Sequence, residues 1–71
     1  MQQAVRVQNH VFELRKKHQI TQEELAQEIG VSRQTVVAIE KGNYTPSVAL
    51  ALALANYFKV KVEELFLLEY E

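Results

Sequence analysis

Seventy-one residues, 48% hydrophobic and 24% charged with a net charge of −1, suffice for one small core and leave nothing for a second. The absence of cysteine excludes a disulfide framework and a thiolate metal site, and no apolar run approaches the ~20 residues of a membrane span. The N-terminal MQQAVRVQNH lacks the long apolar stretch of a secretory signal, so a cytoplasmic protein with one domain over residues 1–71 is expected.

Residues 4–8, AVRVQ, alternate and are rich in valine, which is a strand pattern. Asn9 is placed to cap a first helix whose Val11 and Leu14 face inward, and the run Arg15-Lys16-Lys17-His18 suits that helix's C-terminal dipole end. Thr21 followed three residues later by Glu24 has the capping-box spacing. Leu25, Ala26 and Ile29 then share one face, and Gly30 stops the helix because a residue without Cβ enters the left-handed region cheaply. Val31 is an apolar plug in the turn, Ser32 caps the next helix, and Val36 and Ile39 give it a buried stripe that ends at Lys41 and Gly42. Two helices joined by so short a turn must cross steeply.

Residues 47–58 predict a fourth helix without a single charge, started by Pro46 and capped by Ser47 or Thr45. Val48, Ala51, Leu52, Ala55 and Phe58 are expected to form its core stripe, leaving Ala49, Leu50, Ala53 and Leu54 around the rest of the surface. Val60 and Val62 lead into a fifth helix of one or two turns, Glu63-Glu64-Leu65-Phe66, with Lys61 at its start in place of a good cap. The C-terminal residues 67–70 favour extended backbone. They either pair antiparallel with residues 4–8, within a subunit or across a dimer, or continue the last helix to Leu68 while the N-terminal arm frays.

The segment 21–42 leaves a distinctive surface. Arg33, Gln34 and Thr35 lie in the first turn of the second of its helices, with Val37 and Ala38 one turn on. Arginine can donate twice to guanine O6 and N7, glutamine pairs with adenine N6 and N7, and small apolar groups suit a thymine methyl. Gln22, at the N-terminus of the preceding helix, sits where a phosphate would meet free amides and the positive dipole end.

From Asn9 to Phe66 the chain resembles the Cro/C1-type (XRE-like) helix-turn-helix repressors. The resemblance rests on Gln22, Glu23, Leu25, Ala26, Gly30, Val31, Ser32, Arg33, Gln34, Thr35, Ile39, Glu40 and Gly42, then Tyr44, Pro46 and Ser47, in that order and spacing. It implies a compact all-α, five-helix, lambda-repressor-like domain that binds double-stranded operator DNA as a homodimer. It also implies a structural pair between Arg15 and Glu40, and phosphate contacts from the loop of Asn43 and Tyr44, with Ser32 and Lys41 as further positioning residues. Two positions depart from the phage repressors: Arg33 stands where several have glutamine, and Ala38 where a polar residue is frequent.

The charge balance tempers the nucleic-acid reading. Residues 1–44 carry six basic and five acidic side chains, and residues 45–71 two basic and four acidic, so the acidic half is expected to face away from DNA. The apolar fourth helix, the fifth helix and the C-terminal segment are the candidate dimer surface. His10 and His18 lack metal-ligand spacing, the adjacent pairs Glu23-Glu24 and Glu63-Glu64 diverge on a helix, and both glycines end helices. No enzyme, cofactor, metal or small-molecule ligand is expected. The competing class is a protein-interaction module, antitoxin-like or anti-regulator, on the same fold.

Overall fold

The computed structural model describes residues 4–70. In chain order these form β1 (Ala4–Asn9), α1 (Val11–Lys17), α2 (Gln22–Ile29), α3 (Arg33–Glu40), α4 (Val48–Phe58), α5 (Val62–Leu65) and β2 (Phe66–Tyr70). The two strands pair antiparallel within the one chain, with Arg6 opposite Glu69, Val7 opposite Leu68, Gln8 opposite Leu67 and Asn9 opposite Phe66. Each strand reaches one residue further inward than its sequence suggested. A register irregularity lies between Ala4 and Arg6, and the Arg6 guanidinium pairs with the Glu69 carboxylate across the strands. The chain leaves α5 at Leu65, and Phe66 is already extended (φ −123°, ψ 127°), so a last helix running to Leu68 is excluded.

Side chains at the helix starts set the boundaries. In α2, Thr21 Oγ1 accepts from the Glu24 amide at 3.0 Å while Glu24 Oε1 accepts from the Thr21 amide at 2.8 Å, a complete capping box. Gly30 ends α2 at φ 84°, and its amide donates to Ala26 O at 2.8 Å. Ser32 Oγ accepts from the Thr35 amide at 3.2 Å and Ser47 Oγ from the Leu50 amide at 3.1 Å, so Ser47 and not Thr45 caps α4. Asn9 works from one residue before the cap position, which His10 occupies. Its Oδ1 accepts from the Val11 amide at 3.1 Å, and its Nδ2 donates to Ile39 O at 2.8 Å, tying the end of β1 to the end of α3. At α5 the Lys61 side chain caps nothing, but Glu64 Oε1 accepts from the Lys61 amide at 2.9 Å; the helix is four residues long.

The core gathers Val11 from α1, Leu25 and Ala26 from α2, Val36 and Ile39 from α3, Leu54, Ala55 and Phe58 from α4, and Leu65 from α5. Ile29 and the turn residue Val31 pack against it. The orientation of α4 corrects the expectation. Leu54 is buried and Leu50 half-buried, whereas Val48 and Leu52, assigned to the core, are 76% and 52% exposed. A helix apolar on every side gives periodicity nothing to choose between. The choice falls to shape: Leu50, Leu54 and Phe58, four residues apart, form one ridge toward the other helices. His18 sits edge-on to Phe58, with ring centroids 5.2 Å apart, and closes the core at the end of α1.

Candidate nucleic-acid interface

The connection between α2 and α3 is the three residues Gly30, Val31 and Ser32, with Gly30 left-handed and Val31 anchored on the core. It delivers the start of α3 to the surface. Ser32, Arg33 and Gln34 are exposed, while Thr35, Val37 and Ala38 are half-buried behind them. Thr35 Oγ1 lies 3.0 Å from Ser32 Oγ, so the two hydroxyls hydrogen-bond to each other within the first turn, either one able to donate. Past the other end of α3, Gly42 is left-handed at φ 79°, and the Asn43 amide returns to Ala38 O at 2.9 Å in the pattern of a Schellman motif. That closure turns Lys41, Asn43 and Tyr44 outward; all three are exposed, Tyr44 to 46%.

Behind this surface lies a buried ion pair. Arg15 donates from Nε to Glu40 Oε2 at 2.7 Å and from Nη2 to Glu40 Oε1 at 3.2 Å, and its Nη1 donates to Ile20 O at 3.0 Å. The two side chains are 9% and 6% exposed. The bidentate fork joins α1 to the last residue of α3 and, with Ile20 O, fixes the chain just ahead of α2. The centroid of the Phe12 ring lies 5.3 Å from the Arg15 guanidinium carbon, within cation–π range.

Gln22 is tied into the same group. Its Nε2 donates to Glu40 Oε1 at 3.1 Å, and its Oε1 accepts from Arg33 Nη2 at 3.4 Å. These links escape sequence reasoning because they join residues 18 and 11 positions apart through side chains, which no local spacing encodes. The same is true of Phe12, which reads as an ordinary exposed aromatic. Gln22, Thr21 and Glu23 at the start of α2, with Lys16, Gln19 and Arg33 around them, line an open depression beside the start of α3. Arg33 and Lys16 make it cationic, and Glu23 partly offsets this.

Among the described residues no group of three or more histidine or acidic side chains is arranged to hold a metal ion. His10 Nδ1 lies 3.7 Å from Glu13 Oε1 on the outside of α1, a pair without a third such side chain beside it. No helix of the described residues is long and apolar enough to cross a membrane.

A family model for the helix-turn-helix matches residues 11–65. An uncharacterized HTH-type transcriptional regulator of Methanocaldococcus jannaschii is 49% identical over 63 residues, covering 89% of this chain and 96% of that relative. A second, from Bacillus subtilis, is 49% identical over 65 residues, 92% of this chain and 98% of the relative. Among solved structures, the restriction-modification controller protein C.AhdI from Aeromonas hydrophila matches with a TM-score of 0.71 at 31% identity, over 78% of this chain and 83% of that one. By sequence, by the capped three-residue turn and by the surface it presents, the chain belongs to the Cro/C1-type helix-turn-helix family of DNA-binding transcriptional regulators.

Proposed function

We propose that this chain binds a pseudo-palindromic DNA operator as a homodimer and represses transcription by occupying it. The observation that carries the reading is the pair Arg33 and Gln34, both exposed in the first turn of a helix whose start is fixed by the Ser32 cap and the Gly30 turn. Set into a major groove, that turn brings a bidentate donor for guanine and an amide for adenine to base edges, with Thr35, Val37 and Ala38 flanking a thymine methyl. Gln22 and Ser32 at the helix starts, and Lys41, Asn43 and Tyr44 past the end of α3, hold phosphates on the two sides of the groove. Phosphate contacts fix register, and the readout turn supplies the sequence preference.

Dimerisation follows from the energetics. Each good bidentate contact is worth ~1–3 kcal/mol of discrimination, and one subunit offers few of them. A two-fold axis doubles the set and places the readout helices about one DNA turn (~34 Å) apart. The exposed apolar residues Val48 and Leu52 on α4 and Leu67, Leu68 and Tyr70 on β2 support such a contact. Between them α5 exposes Glu63 and Glu64, with Val62 half-buried and Leu65 buried, so α4 and β2 carry the interface in this reading. A groove between them, lined by Val7, Pro46, Val48, Ala51, Phe66 and Leu68, gives a partner's apolar side chain a place to seat.

The test is the double substitution Arg33→Ala/Gln34→Ala. Both side chains are exposed, so the fold and the dimer survive, and sequence-specific binding to duplex DNA is lost. Unchanged DNA affinity in that variant contradicts the reading. If the wild-type chain shows no preference among duplexes while capturing a protein partner, the protein-interaction alternative takes its place.

A further inference from the structure

Three parts of the chain meet at Asn9. It is the last residue of β1, where it stands opposite Phe66, and the amide of the next residue, His10, donates to Leu65 O at 2.9 Å and ties the strand to the end of α5. Its side chain is half-buried and reaches in two directions. Oδ1 accepts from the Val11 amide at 3.1 Å, in the first turn of α1, and Nδ2 donates to Ile39 O at 2.8 Å, in the last turn of α3. Ile39 O is one of the last four carbonyls of its helix, which lack an intrahelical partner, and it also receives the Gly42 amide at 3.0 Å. The Asn9 amide cannot turn over, because its NH2 would then face the Val11 N–H and its oxygen the Ile39 oxygen. The start of α1 thus fixes which end of Asn9 is offered to α3.

We propose that Asn9 is a positioning residue for the spacing of the operator half-sites: it clamps the readout helix to the sheet through which the subunits meet. The proposal rests on the dimeric operator reading. In a two-fold dimer, the separation and tilt of the two readout helices depend on how each α3 sits relative to its own subunit's dimer face. β2 brings Leu67, Leu68 and Tyr70 to that face, and Phe66, opposite Asn9, lines the groove beside it. The bond from Asn9 to Ile39 O joins this sheet directly to the end of α3. Slack between sheet and helix enters twice, once per subunit, into the distance between the reading turns, and one base-pair step is only about 3.4 Å. A bond that served only to hold α3 in the fold would affect every DNA alike.

The experiment measures affinity of the full chain for duplexes carrying the two half-sites identified by selection with the wild-type protein. The half-sites are set at the selected spacing and one base pair closer or further apart, and a further duplex carries a single half-site. Asn9→Asp keeps the size of the side chain and an acceptor for the Val11 amide, and its charge suits the start of α1, but it has no hydrogen for Ile39 O. Asn9→Ser also keeps an acceptor, ends short of Ile39 O and adds no charge. Both variants lower the preference for the selected spacing over the shifted ones about 2- to 10-fold, the effect of one hydrogen bond. Affinity for the single half-site and dimer association in sedimentation equilibrium stay unchanged. A spacing preference intact in both variants, or an affinity loss equal at every spacing and at the single half-site, overturns the positioning role and leaves the operator reading standing. A wild-type chain that selects no inverted repeat overturns both.

Discussion

Glu40→Ala leaves the Arg15 guanidinium in the interior without its carboxylate. Removing one partner of a buried ion pair costs about 3–5 kcal/mol, because the remaining charge is desolvated and uncompensated. Here the lower end applies: Arg15 keeps its bond to Ile20 O at 3.0 Å and the Phe12 ring at 5.3 Å, so about 3 kcal/mol is expected. Against a total stability of about 4–11 kcal/mol for a chain of 71 residues, that is a large fraction. For a domain of this size it lowers the thermal midpoint by roughly 12–24 °C. Urea unfolding followed by helical circular dichroism measures the loss directly, the slope against denaturant staying constant if the native state is otherwise intact. Arg15→Met/Glu40→Leu, which removes both charges and keeps the volume, recovers most of the loss. A cost below about 1 kcal/mol in Glu40→Ala would be that of a solvated surface pair and would refute the burial argument.

Three further outcomes follow from the fold. On α4, Leu54→Ala lowers stability by about 2–5 kcal/mol in urea unfolding, whereas Leu52→Ser spares the subunit's fold and weakens the proposed dimer in sedimentation equilibrium; equal folding costs at the two positions would mean α4 is turned otherwise. At Gly30 a Cβ meets no atom within 4 Å, so the penalty of Gly30→Ala is purely conformational, about 1–2 kcal/mol by thermal unfolding, with Gly30→Asn milder. At the sheet, the hydrogen bond from Arg6 holds the Glu69 carboxyl below its ordinary value, with partial opposition from desolvation. A depressed carboxyl contributes stability that is complete above its unfolded value and is lost as pH falls through its folded value. Protection of the β1 amides, taken relative to the intrinsic exchange rate at each pH, therefore falls on acidification through that range, and Glu69→Gln removes this component; the raised Arg6 stays charged throughout.

Local chemistry made much of the fold readable. Thr21 with Glu24, Ser32 and Ser47 are caps whose donors lie three residues away, and Gly30 stops a helix by its own conformational freedom, so a one-dimensional reading finds them. The left-handed residues Gln19 (φ 58°) and Lys59 (φ 59°) end α1 and α4 without a glycine to announce them. The orientation of α4 is hidden because its apolar residues surround the helix, and only packing into the buried cluster selects Leu54 over Leu52. The pairing of β1 with β2 stood as one of two readings, since short β-favouring ends acquire strand geometry only when a partner strand arrives. At the candidate site, the caps imply that Arg33 and Gln34 lie in an exposed first turn. The link from Glu40 through Gln22 to Arg33 is a tertiary arrangement, and sequence spacing carries no trace of it.

The most direct test of the central claim is selection of bound sequences from random duplex DNA by the purified chain at near-physiological salt, with folding and assembly state monitored. An enriched inverted repeat, its half-site centres about one helical turn (~34 Å) apart and a guanine at the position Arg33 reaches, is the predicted result. A folded, dimeric chain that enriches no sequence would contradict it.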